Sequence, residues 1–455
     1  MISLLEAWSD SRINDAGPAM VAEGAPSLFT RGVGPSKLLW PTIPLGRRFA
    51  GRQHWRSELN RYEREFCNAA AAKRGVPLAL ASENRLEHEP APPADALRFE
   101  ALLVDLATKV LRKQVGPQTQ LIDAFNINRA LRFIDAVWQA TGIELDVNSF
   151  YLWPTVPALA GAMADGSFRA IPKLIEIKGG TGAGSLVVFA GGVSCFLEMK
   201  DFVNALSFEG AVYGMALSAF DRPAAQPAEV ADEVAACLSA LRASGLVPSY
   251  RLVGYSFGGI VALELARALD ACGVACDFLG LIDSPQSEHA WPLRAWLSFV
   301  AGRFVSGRRA KAPRSAEAAC GEPDEPGPGP RPGGWRQRLR RLSFRFRDPR
   351  GEDYPTLVPQ WVGGYPPAYG RAACQLLRMK GLYRPERFRA PLVFYRTEGG
   401  SPVDCDPKRI WDRILPDAEW VDVPGNHQSI MVGRHARALA ADLSRRLSQL
   451  ASTRA

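Results

Sequence analysis

The chain has no run of about 18 uncharged apolar residues, which argues against a membrane-spanning helix. Its first residues, MISLLEAWSDSRIND, carry Glu6, Asp10 and Asp15 and no basic segment ahead of a long apolar stretch. A secretory signal is therefore not expected, and a cytoplasmic location is. Histidine is scarce, with five in 455 residues, and no two of them cluster. The eight cysteines are scattered, and only Cys272 and Cys276, in CGVAC, lie close together. With no second pair to complete a metal site, they read as reduced structural thiols, and no metal is expected. No internal repeat is evident. What remains is ordinary: 47% hydrophobic and 22% charged residues fit a soluble globular protein, and the length suits two or three domains.

The net charge of +8 has one origin. Residues 301–350 hold thirteen Lys and Arg against five Asp and Glu, so the other 405 residues sum to zero. A general affinity for nucleic acid is not expected from such a local surplus.

Three regions follow from composition and periodicity. Residues 1–90 are a mixed, linker-like stretch with WPTIPLGRRFAGRQHW (Trp40 to Trp55) and a charged helical pattern after it. EHEPAPPAD (Glu87 to Asp95) punctuates the chain, because its prolines block helix and sheet alike. Residues 96–168 form a small all-helical unit: Leu97, Leu102, Leu103, Leu106, Val110 and Leu111 recur at helical spacing, as do Ala130, Leu131, Phe133, Ile134 and Val137. SFRAIPKLIEIKGGTGAG leads out of it. Over residues 180–450 the period changes. SLVVFA, AVYGMAL, YRLVGYS, DFLGLID, PLVFYR and AEWVDV read as short buried strands, mostly separated by helices. That alternation predicts an α/β domain with a mostly parallel sheet. It is interrupted at about 301–350 by EPDEPGPGPRPGG, a disordered or extended insertion, and by the basic amphipathic WRQRLRRLSFRFRD.

The sharpest chemical signal is Gly254-Tyr255-Ser256-Phe257-Gly258, a G-x-S-x-G run between a strand and a helix. A serine on so sharp a strand-to-helix turn needs small neighbours, here Gly254 and Gly258. The helix N-terminus behind it offers free N–H groups to a developing oxyanion. Ser256 is thus the candidate nucleophile. Its base is expected to be His427, in VPGNHQSIM after the last strand, at the end of the sheet where the elbow points. Asp283, at the tip of DFLGLID, is the candidate acid that orients the imidazole. A right-handed crossover would put it beside the elbow. Asp404 and Asp406, in GGSPVDCDP after PLVFYR, are the rivals. The backbone N–H of Phe257 is one expected oxyanion donor. The loop after SLVVFA, with Gly191, Gly192 and Val193, should supply the other.

YRLVGYSFGGIVALELARAL followed by LGLIDSP, and VPGNHQSIMVG near the end, resemble the thioesterase domain that closes non-ribosomal peptide and polyketide assembly lines. The stretch YGRAACQLLRMKGLYRPERFRAPLVFYRTE is similar to the same family. The resemblance implies an α/β-hydrolase fold with a lid inserted after the acid-bearing strand. It also implies transfer of an acyl chain from a carrier's phosphopantetheine thiol to the serine. Water, an internal nucleophile or an amine then releases the chain. Where that family has His-Pro before its glycine loop, this chain has Phe189-Ala190.

TQLIDAFNINRALRFIDAVWQATGIELDVNSFYLWPTVPALAGAM resembles an acyl or peptidyl carrier domain, with its closing PTVxxLA. The position of the phosphopantetheine-bearing serine holds Asn128, preceded by Phe125-Asn126-Ile127, and no serine lies between Ser82 and Ser149. An amide offers no attachment point, so the unit reads as a degenerate carrier that binds no cofactor of its own. WPTIPLGRRFAGRQHW loosely resembles the linker after ketosynthase or acyltransferase domains. The expected activity is therefore that of a serine thioesterase. It would release or edit acyl or peptidyl chains held on the phosphopantetheine of a partner carrier protein or synthase module. The alternatives are an assembly-line scaffold with an incidental hydrolase, or a general esterase. Arg336, Arg338, Arg340, Arg341, Arg345 and Arg347 of the insertion are a candidate docking surface for an acidic carrier face; the alternatives are a membrane-surface or nucleic-acid contact, or a solvated variable loop.

Overall fold

The computed structural model describes residues 94–182, 184–192, 195–217, 229–306, 345, 347–351, 367–400 and 406–452. The linker-like region 1–90 and most of the basic insertion lie outside them. Helices α1 (Ala94–Leu111), α2 (Leu121–Ala124), α3 (Ile127–Thr141), α4 (Ser149–Leu152) and α5 (Val156–Asp165) build the first unit. Their ends follow from local chemistry. The Asn126 side chain accepts from Arg129 N and starts α3, and Gly142 at φ 71° stops it. Thr155 caps α5, with Pro157 in the first turn and Gly166 at φ 81° after the last. The apolar faces meet around three mutually tilted rings, Phe125, Phe133 and Phe150, with centroids 5.1 to 6.0 Å apart.

The second unit is α/β. Its elements are β1 (Leu174–Lys178), β2 (Ser185–Phe189), α6 (Lys200–Ala205), β3 (Ala211–Met215), α7 (Val230–Ala243), β4 (Tyr250–Tyr255), α8 (Phe257–Ala271), β5 (Cys276–Ile282), α9 (Leu293–Ser306), α10 (Pro367–Leu382), β6 (Leu392–Thr397), α11 (Pro407–Trp411), β7 (Ala418–Val423) and α12 (Gly433–Ser452). A single-turn 3-10 helix, Phe196–Met199, leads into α6. The seven strands run β1-β3-β2-β4-β5-β6-β7. Only the β1–β3 pair is antiparallel, and the other five pairings are parallel. All six expected strands are present. The edge strand β1 is additional, and it starts on the N-terminal side of the expected boundary at 180.

Helices cover both faces of the sheet, as a mostly parallel sheet requires. One core packs α7, α8 and α10 against Val187, Phe189, Leu252 and Leu281. The other packs α6 and α12 against Val188, Val253, Ile282 and Tyr395. β4, the middle strand of the seven, is buried at every residue. The first unit has its own core, which Cys195, Leu197 and Tyr369 of the second unit enter. Phe133→Ala, at a fully buried ring, is expected to destabilise the helical unit by about 3–5 kcal/mol. Denaturant-dependent hydrogen exchange across α3 measures that loss.

Candidate functional site

The turn from β4 into α8 carries Ser256 at φ 54°, ψ −122°, a conformation costly for any residue with a Cβ. It persists because the backbone around it is fixed. Ser256 N donates to Ile282 O at 2.9 Å. The two expected glycines are both required by contact. A Cβ on Gly254 would stand 2.4 Å from Gly259 Cα, and one on Gly258 would stand 2.4 Å from Ala190 O. Gly259, not singled out in the sequence, is equally confined, since a Cβ there would stand 1.9 Å from Ser284 Oγ. α8 thus begins in van der Waals contact with the end of β2, and Ser256 stands where β2, β4 and β5 end together.

Asp283 follows β5 directly and is fully buried, at φ 40°. Its backbone N–H is held by Tyr395 O at 2.9 Å. His427, on the loop between β7 and α12, donates from Nδ1 to Asp283 Oδ2 at 2.8 Å. That bond leaves Nε2 as the lone-pair nitrogen. Thr397 Oγ1 donates to the same carboxylate oxygen at 3.3 Å. Asp283 Oδ1 is buried with no hydrogen-bond partner among the described residues. Tyr255 adds two contacts absent from the sequence reading. Its ring stacks on the imidazole at 5.0 Å between centroids, and its hydroxyl donates to His427 O at 2.5 Å. Among the described residues no hydrogen bond joins Ser256 Oγ to His427, so the structure brings the histidine and aspartate together and leaves the serine beside them. Of the rival acids, Asp406 caps α11 and pairs with Arg396, and Asp404 lies outside the described residues.

Phe257 N–H stands in the first turn of α8, as expected. On the facing loop, Gly192 borders open space, and Val193 lies outside the described residues. Gly191 is held from behind: a Cβ there would meet Glu198 Oε2 at 3.1 Å and the Tyr255 ring at 3.2 Å. Glu198, on the 3-10 helix, stands against the Gly191 backbone, and its Oε2 is buried with no hydrogen-bond partner among the described residues. Burial pushes this carboxyl up to about 7, and the nearby Gly191 backbone opposes the shift. Burial also brings the Lys380 ammonium of α10 down to about 8, although Glu288 and Asp283 favour its charge. His289 is brought down to about 4, chiefly by burial, and its Nδ1 donates to Arg345 O at 2.8 Å. Arg345 in turn donates to Glu288 O at 3.0 Å and lies over the Trp296 ring. This arginine of the basic segment therefore makes intramolecular contacts. No group of described residues has the makings of a metal site, and no described helix is long and apolar enough to cross a membrane.

Residues 187–308 match the family model of the thioesterase domain. This stretch is similar to the thioesterase domain family. The match begins in β2 and takes in the elbow and Asp283. A stretch of 161 residues, 35% of the chain, is 29% identical to CymA of Salinispora arenicola, a probable non-canonical nonribosomal peptide synthetase, and spans 2% of that protein. Among solved structures, the NocB thioesterase domain in covalent complex with a fluorophosphonate nocardicin G analogue is 21% identical. The alignment covers 59% of this chain and 96% of NocB at a TM-score of 0.38. A four-domain nonribosomal peptide synthetase in its holo form aligns over 82% of this chain and 27% of its own, at 16% identity and a TM-score of 0.41. The mostly parallel α/β architecture of the thioesterase domain is the one expected from its strand pattern.

Glu198 generates a pH prediction. Its folded-state value lies above that of an unfolded glutamate, so the folded protein holds the proton more tightly. The associated stability is complete below about pH 4.5 and is lost as pH rises towards 7. Glu198→Gln should remove that dependence, raising stability at pH 8 by at least ~1 kcal/mol and changing it little at pH 4. Thermal melts of both proteins across pH 4–8 check this; parallel curves would refute it.

Proposed function

We propose that the protein is a serine thioesterase acting on acyl or peptidyl chains held as thioesters on a partner carrier protein. Ser256 is the nucleophile, His427 the general base and then acid, and Asp283 its orienting partner. The observation that carries this reading is the buried Asp283–His427 pair beside a strained serine elbow, within a segment matching the thioesterase family.

Oγ attacks the thioester carbonyl as its proton passes to His427 Nε2. The Phe257 and Gly192 N–H groups are assigned to the oxyanion. Collapse of the tetrahedral intermediate breaks the C–S bond, and the imidazolium protonates the departing thiolate. Water then attacks the acyl-serine ester, giving a proton to His427, which passes it to Ser256 Oγ as the acid leaves. Asp283 stabilises the imidazolium in both halves. The helical unit is read as a degenerate carrier. Asn128 Oδ1 is buried without a hydrogen-bond partner among the described residues, and its amide offers no hydroxyl for a phosphopantetheine arm, so the acyl donor comes in trans.

Intact-protein mass spectrometry tests this, after incubation with a phosphopantetheinyl transferase and an acyl-thioester mimic. An acyl adduct is expected on the wild type, absent in Ser256→Ala, with no arm added to residues 96–168. Adducts that persist in the variant would refute the nucleophile. An arm on the helical unit would refute the degenerate carrier. In steady state, Asp283→Asn should lower kcat by about 10²–10⁴-fold. A general esterase would show equal kcat/KM for a carrier-bound and a small-thiol thioester; the proposal expects the carrier-bound form to be preferred.

A further inference from the structure

The loop that follows β2 is anchored from outside its own domain. Its described residues, Ala190 to Gly192 and Cys195, lie between two fixed points, the buried end of β2 and the Phe196 ring. That ring sits so closely on β3 that a Cβ on Gly214 would stand 2.5 Å from it. Where the loop rejoins the domain, its backbone bond goes to the helical unit: Phe196 N donates to Asn148 Oδ1 at 3.0 Å. Asn148 itself is 1% exposed. The Tyr151 ring meets the Phe196 ring edge-on at 6.2 Å. Cys195 and Leu197, on either side of Phe196, are buried in the helical unit's core. Two residues on, Glu198 reaches back to Gly191, in the part of the loop that faces the elbow.

The surroundings hold Asn148 rigidly. Val147 N donates to Tyr369 Oη of α10 at 2.6 Å, and that hydroxyl donates to Asp146 Oδ1 at 3.2 Å. Tyr369 thus pins the segment 146–148 to α10 on one side, and Asn148 presents an amide oxygen to the 3-10 helix on the other. Lys200 Nζ donates to Ile122 O at 2.8 Å. At the exposed rim of the same interface, apart from the contacts that hold Asn148, Arg371 Nη2 donates to both Glu144 oxygens at 2.8 and 3.1 Å.

We propose that Asn148 of the helical unit is a positioning residue for the oxyanion loop of the thioesterase domain, through the chain Asn148–Phe196–Glu198–Gly191. The proposal rests on the thioesterase reading above. The helical unit, without a hydroxyl at position 128, then has a catalytic consequence: it sets where Gly191 and Gly192 stand relative to Ser256. Removing the Asn148 acceptor frees the Phe196 N–H, lets the 3-10 helix shift, and misplaces the loop without touching the substrate.

The test uses the full chain. Asn148→Ala, Asn148→Asp and Arg371→Ala are compared with wild type by kcat and KM for an acyl thioester of a small thiol. Hydrogen exchange at residues 190–200 is followed in parallel. Asn148→Ala should lower kcat by ~10–100-fold with KM within about twofold, and speed exchange in the loop. Asn148→Asp, which keeps an oxygen acceptor, should recover most of both. Arg371→Ala cuts the interface away from the loop and should leave kcat near wild type. Unchanged exchange at 190–200 in Asn148→Ala would overturn the proposal, as would equal kcat losses in Asn148→Ala and Arg371→Ala. If wild type shows no Ser256-dependent turnover, the thioesterase reading fails. The exchange data still decide the brace: faster exchange in Asn148→Ala alone upholds it, and no change refutes it.

Discussion

The contact between the first turn of α8 and the ends of β2 and β4 is the constraint on which the site depends. Helix and strands approach so closely at Gly254, Gly258 and Gly259 that no Cβ fits at any of the three. The approach holds Ser256 at positive φ, where it would not stand unaided. It also brings Phe257 N–H and the loop after β2 onto one side of the serine. Strain of this kind, of order 1–3 kcal/mol, is tolerated only where packing over-determines the backbone. Here the packing is the sheet itself, with β4 buried at all six of its residues.

A second strained residue stands beside the first. Asp283 has φ 40° and its N–H is held by Tyr395 O on the next strand. Ser256 N is held by Ile282 O, one residue before Asp283. Neighbouring parallel strands therefore clamp both turns. The imidazole comes from a third place, the loop before α12, and is fixed by a carboxylate on one edge and the Tyr255 ring on one face. Four strand ends cooperate in placing three side chains. The parallel order explains why Asp283 and His427, 144 positions apart in the sequence, meet.

What was legible in the sequence was whatever has a local signature. Six strands show as apolar runs because a parallel sheet buries both faces. β1 did not show: LIEIK is an edge strand, buried only at Ile175, and its Glu and Lys break the run. Ser256, Asp283 and His427 could be picked because each ends or follows a readable strand. Only the coordinates show that Asp283 meets the imidazole while Asp406 caps α11 and pairs with Arg396. Glu198 and Asn148 had no signature at all. A glutamate in FLEMK and an asparagine in DVNSF resemble any surface residue. Their burial arises from a contact that joins chain segments 48 residues apart.

The electrostatics of the centre follow from the same burial. A low-dielectric pocket opposes charge, and around this site three groups are driven towards neutrality. Glu198 holds its proton up to about 7, His289 stays unprotonated down to about 4, and the Lys380 ammonium is weakened to about 8. The carboxyl that faces the imidazole, by contrast, receives donors from His427 and Thr397. An imidazolium forming at His427 would therefore meet one directed counter-charge at 2.8 Å rather than a diffuse field. Below pH 7 Glu198 adds little negative charge beside Gly191. Two contacts thus meet the stretch that follows β2: the buried glutamate stands against Gly191, and Phe196 N donates to Asn148 Oδ1 of the helical unit.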